Sequence, residues 1–135
     1  MDTMDEREAF ENAYSHYVHM VEALAGSPEE ACKIYGHFNV AYGIKRDVEL
    51  VPPIFEWAIS PLTAEHRRGI ANLISALQLI PEQVLSFTNV KQECLARMRH
   101  PSWLPARKMA NQLLQDLRPI TELNNRYFEQ DARET

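Results

Sequence analysis

Glycine is scarce in this chain. Only four glycines stand among 135 residues, and none follows an Asn, Asp or Gly in the steps that mark a tight β-hairpin. Alternation of apolar and polar residues is equally rare. DVELV at 47–51 is the one short stretch of that kind, and a single strand has no partner for its ladder. These two shortages exclude a sheet-based fold and leave helices.

Cysteine is nearly absent too. Cys32 and Cys94 are far apart, with no CxxC step and no Cys/His ligand spacing around them. That excludes a zinc-finger module and a disulfide-dense scaffold. The expected state is two reduced, buried side chains acting as small apolar groups, and the spacing leaves a bond between them open. Long apolar runs are missing: GIANLISALQLI at 69–80 is the richest, far short of the roughly 20 residues a bilayer needs. The opening MDTMDEREAF is acidic and lacks the apolar centre of a signal peptide. The expectation is a soluble, cytoplasmic protein with no membrane partner. Motifs for phosphate loops, dinucleotide binding, serine nucleophiles and HExxH zinc sites are all lacking, as is a repeated ExxH pair. No catalytic residue, cofactor or metal is therefore assigned, and a non-enzyme is expected.

What is present is helical periodicity. At 45% apolar and 24% charged residues, the chain reads as one globular domain over 1–135, with frayed ends at about 1–4 and 131–135. In 5–25, Phe10, Tyr14, Tyr17, Val21 and Leu24 recur at steps of four and three, an apolar seam on one helix face. Gly26 is expected to end that helix in the left-handed conformation. Ser27, Pro28 and Glu30 form a capping box for the next, expected over 28–42 with Ala31, Ile34, Tyr35, Phe38 and Tyr42 inward and Gly43 at its end. Pro52 and Pro53 make a double-proline turn and then a short helix near 53–59. Further helices are expected over 62–79, over 81–99 with Val84, Phe87, Leu95 and Met98 inward, and over 104–131 with Met109, Ala110, Leu113, Leu117, Ile120 and Tyr127 inward, the last bent or split by Pro119. The fold class is all-α: a compact bundle of about five main helices plus the short one after the double proline.

The charge is uneven. Net charge is −5, yet residues 1–30 carry eight acids and one base, whereas 91–108 carry five bases and one acid. The basic stretch RMRHPSWLPARK supplies Arg97, Arg99, His100, Trp103, Arg107 and Lys108, the candidate binding residues. Cations with an interleaved aromatic suit phosphates and stacked bases, or an acidic protein surface. The patch is small and the protein acidic, which favours structural use or a protein partner over nucleic acid. HRRG at 66–69 is a second, weaker basic spot.

SHYVHMVE at 15–22 sets His16, His19 and Glu22 three apart, as metal-binding helices do. At 100° per residue, however, His19 and Glu22 fall about opposite the Phe10 seam, with Glu8 and Glu11, and His16 lies at its edge. That is a solvated face first and a metal site second. His66 falls on the apolar stripe of its helix and is expected to be neutral and hydrogen-bonded there; Lys91 falls on the stripe of the next, with its stem packed and its ammonium at an edge. A ligand- or metal-binding bundle would have to draw on His16, His19, His37 or His66. The leading expectation is a small regulator or inhibitor-type module that works by docking on another protein, with a homodimer as one form of that contact.

Overall fold

The computed structural model describes residues 6–36, 39–57, 60–86, 88 and 90–134, the last five of these by backbone alone. It is all-helical among the described residues. In chain order the helices are α1 (Glu6–Ala25), α2 (Pro28–Ile34), α3 (Val40–Leu50), α4 (Ala64–Leu77), α5 (Glu82–Leu85), α6 (Lys91–Met98), α7 (Leu104–Asp116) and α8 (Arg118–Glu134), with 3-10 turns at Pro52–Glu56 and Pro101–Trp103. The number exceeds expectation because three expected helices are each broken in two.

The spine is α1 against α7 and α8. Asn111 donates to the carbonyl of Ala25, the Tyr14 hydroxyl meets Leu117 O and Thr121 Oγ1, Asn124 donates to Glu11, and the Arg7 guanidinium lies over the Tyr127 ring. Residue numbers fall along α1 as they rise along α7 and α8, so the two C-terminal helices run antiparallel to α1 as one bent rod. The bend is at Leu117, and Pro119 sits in the first turn of α8, where a missing N–H costs nothing. On the other side of α7 lies α4, also antiparallel: His66 meets Asp116 O, and Gly69 faces Leu113. A Cβ at Gly69 would stand 3.1 Å from Leu113 Cδ1, so the absent side chain sets how closely these helices approach.

The expected seam of α1 is buried throughout: Phe10, Tyr14, Tyr17, Val21 and Leu24 are at most 2% exposed. Phe55, from the turn after the double proline, drops into it, with ring centroids 5.8, 6.0 and 5.1 Å from Phe10, Tyr14 and Tyr17. The edge-on geometry is the favoured one for aromatic pairs. VPPIFEW thus divides: Phe55 is core, while Trp57 is 41% exposed.

Several boundaries depart from expectation, each for a local reason. The capping box of Ser27 and Glu30 forms in both directions. Gly26 does not take a positive φ; its lack of a side chain instead leaves room for the Glu30 carboxylate, 3.0 Å from where a Cβ would be. The left-handed residue is Gly36, φ 75°, and it ends α2 after seven residues. Asn39, φ 54°, then opens α3. The phase restarts there, so Ile34 and Tyr42 are 46% exposed rather than inward, and Val40, Ile44 and Val48 take their place in the core. Gly43 lies inside α3, where the Tyr35 ring presses on it, and DVELV is the end of that helix, not a strand. The expected helix over 81–99 is two helices, the first ending at Leu85 and the second starting at Lys91, and ahead of the second the Thr88 hydroxyl accepts from Val90 N and donates to Glu93. That resets the phase again and leaves Lys91 exposed at the start of α6, off the stripe. Met109, expected inward, is 40% exposed. Phe38 and Phe87, also expected inward, lie outside the described residues.

Candidate functional site

The basic stretch forms one corner of the molecule, built by the end of α6, the 3-10 turn and the start of α7. His100 caps the turn: its Nδ1 accepts from Ser102 N at 3.1 Å, and Pro101 fills the first turn position. Trp103 is fully buried and its indole N–H donates to Arg97 O at 2.9 Å. It anchors the corner and offers no face to an incoming ring. Arg97 donates to Ser86 O at 2.6 Å and lies 3.8 Å from Glu93. Arg99 pairs with Glu29 of α2; that contact, with the protein's own hydrogen bond at Glu29, holds the Glu29 carboxyl below its usual range. Arg107 donates to Met98 O at 3.2 Å, its buried Nε has no hydrogen-bond partner among the described residues, and burial lowers its pKa.

Three of the cations are thus drawn onto the protein's own oxygens, chiefly helix-end carbonyls, which favour positive charge. What faces outward is narrower than the sequence suggests: Arg99, His100 and Lys108, with Pro101, Pro105 and Leu104, the last 60% exposed. Leu104 and Lys108 are four apart on α7 and share a face. Beside them runs an open groove lined by Gln83, Val84, Glu93, Ala96, Arg97 and His100. Leu104, set between Pro101 and Pro105, carries no periodicity to mark it in the sequence.

The Ser102 hydroxyl lies 2.8 Å from His100 Nδ1, the separation of a nucleophile and its base. That nitrogen already takes the Ser102 backbone N–H, and no described residue fixes the ring's other nitrogen, so the contact is a turn cap.

The described histidines are scattered. His16, His19 and Glu22 are exposed on α1, and His66 caps α4, its Nδ1 accepting from Thr63 N at 3.1 Å while its Nε2 lies 3.2 Å from Asp116 O. His66 is thus hydrogen-bonded, half-buried at the edge of the α4–α7 seam. His37 lies outside the described residues. Among the described residues, no three His, Cys, Asp or Glu side chains are gathered closely enough to hold a metal ion, and no helix is long and apolar enough to cross a membrane.

Glu11 is the clear misplacement. Expected on the solvated face, it is 8% exposed, with its carbonyl and carboxylate both taking the Asn124 amide, at 3.0 and 3.1 Å. Asn124 of the antiparallel α8, 113 positions away, together with Arg7 4.0 Å from the carboxylate, makes that burial tolerable. No family model, curated protein or solved structure matches this chain.

Proposed function

We propose that the protein is a docking module of the regulator or inhibitor kind, which binds an acidic, partly apolar surface of another protein through the corner at 99–108. The observation that carries this is Leu104: a leucine 60% exposed at the start of α7, four residues before exposed Lys108 and preceded, across the 3-10 turn, by exposed Arg99 and His100. A central apolar contact rimmed by charge is the usual anatomy of a protein interface, where the apolar anchor supplies affinity and the rim supplies orientation and approach rate. Nucleic acid is the weaker reading: Trp103 is buried, and Arg97 and Arg107 are drawn onto backbone carbonyls.

The test is affinity capture with the wild-type protein against Leu104→Asp and Lys108→Glu, with melting curves of all three. The expected result is a partner captured by the wild type, bound about 10- to 100-fold more weakly by Leu104→Asp, and bound more slowly by Lys108→Glu, with melting unchanged. A partner held equally by all three proteins, or salt-dependent binding of random DNA or RNA that Arg99→Ala abolishes, would overturn the reading.

A further inference from the structure

The two cysteines, 62 positions apart, meet in the core. Cys32 Sγ of α2 lies 3.3 Å from Cys94 Sγ of α6. Both residues are buried, 0% and 2% exposed, and both thiols are free. A disulfide needs sulfurs about 2.05 Å apart, so the pair is roughly 1.3 Å from bonding distance, within reach of small side-chain rotations. A shared zinc ion would set two sulfurs about 3.8 Å apart and need further ligands, which the described residues do not supply.

We propose that Cys32 and Cys94 are an oxidative modification site, closed to an intramolecular disulfide by exchange with a small-molecule disulfide such as oxidised glutathione. The chemistry balances as two exchanges. One cysteine thiolate attacks the small disulfide, forming a mixed disulfide and releasing one small thiolate, which takes up a proton. The second cysteine thiolate then attacks the protein-bound sulfur and releases the other. Two electrons pass from the protein to the small disulfide, and two small thiols leave.

Access comes from α2. It is seven residues long, bounded by Gly26 and Gly36, and the residues it buries are Ala31 and Cys32 alone. Lifting so short an element exposes little apolar surface, which is what places a segment at the low-stability end of a fold. While it is seated, the Cys32 thiol is pushed up to about 12, chiefly by burial and then by Cys94 beside it, and so stays protonated and inert. The outer latch is the exposed ion pair of Glu29 on α2 with Arg99 after α6. Opening exposes both sulfurs at once, and reseating α2 brings the second sulfur onto the first.

The experiment treats the whole protein with oxidised glutathione and follows intact mass, a non-reducing peptide map and thermal melting. Both thiols are expected to disappear together into one bond between the Cys32 and Cys94 peptides of a single chain. The melting temperature should rise by roughly 5–15 °C, since the bond closes a long loop, and dithiothreitol should reverse it. Arg99→Ala should speed the reaction several-fold with the same product, and Cys32→Ser should leave at most a single adduct on Cys94. Persistent glutathione on one cysteine of the wild type, a bond between chains, or thiols unreactive in both wild type and Arg99→Ala would overturn the proposal.

Discussion

Three tyrosine hydroxyls are enclosed by the fold. The Tyr14 hydroxyl is pushed up to about 12, mainly by burial, with the Thr121 hydrogen bond working against that and Glu11 adding to it. Tyr17 is raised further, by burial and then by Tyr14, and Tyr35 by burial and then by Asp47. A raised phenol favours the protonated native state. Its contribution is therefore complete below about pH 10, where the unfolded phenol titrates, and is lost as pH climbs through the native value. The urea midpoint should begin to fall near pH 9, where the raised Cys32 thiol starts to lose its contribution, and fall further between 10 and 12, with tyrosinate absorbance rising in step with unfolding. A midpoint flat across that window would refute the account. Tyr17 adds a sharper check, because its buried hydroxyl has no hydrogen-bond partner among the described residues. Tyr17→Phe removes an unpaired polar group, so it should leave stability unchanged or raise it by about 1 kcal/mol, where most core substitutions lower it.

At the scale of elements, caps and left-handed residues decide where helices stop. Gly36 at φ 75° meets open space, so Gly36→Ala suffers only the conformational cost of a left-handed alanine, about 1–2 kcal/mol. Ser27→Ala removes a capping box and should cost about 1 kcal/mol. Chemical denaturation of both variants measures this, and a loss under 0.3 kcal/mol for Gly36→Ala (about the smallest difference such curves resolve) would mean that α2 does not depend on that turn. The same elements explain what was legible beforehand. The seam of α1, the Ser27 box and the split at Pro119 each rest on residues within one or two turns, and local chemistry suffices for them. The α2–α3 boundary was misread because Tyr35 and Tyr42 match a helical step by coincidence, while Val40, Ile44 and Val48, four apart, were the seam that mattered. Lys91 was misplaced because its stripe was counted through Thr88, whose hydroxyl restarts the helix. The candidate corner was found by charge, but its outward composition depends on which cations reach carbonyls across turns, and no spacing in the chain encodes that.

At the scale of the whole molecule, the first and last helices hold each other. Glu11 and Asn124 are the buried polar tie in that contact. Asn124→Leu leaves the buried Glu11 carboxylate with Arg7, 4.0 Å away, as its charged partner and should cost about 1–3 kcal/mol, whereas adding Glu11→Leu should recover part of the loss. A double-mutant cycle measures the coupling, and additive losses would show the tie to be dispensable. The charge asymmetry of the chain also closes on itself at this scale, since Glu29 from the acidic stretch meets Arg99 from the basic one.

The antiparallel run of α1 beside α7 and α8 has a consequence in time. Contacts such as Tyr14 with Thr121 and Glu11 with Asn124 join residues 107 and 113 positions apart. Contacts so distant in the chain slow folding, because the loop between them must be closed before they form. During synthesis α1 is made before α7 and α8, so the stretch from α2 to α6 forms against an incomplete spine. Until α7 and α8 follow, Phe55 is the aromatic cover the described contacts offer to Phe10, Tyr14 and Tyr17.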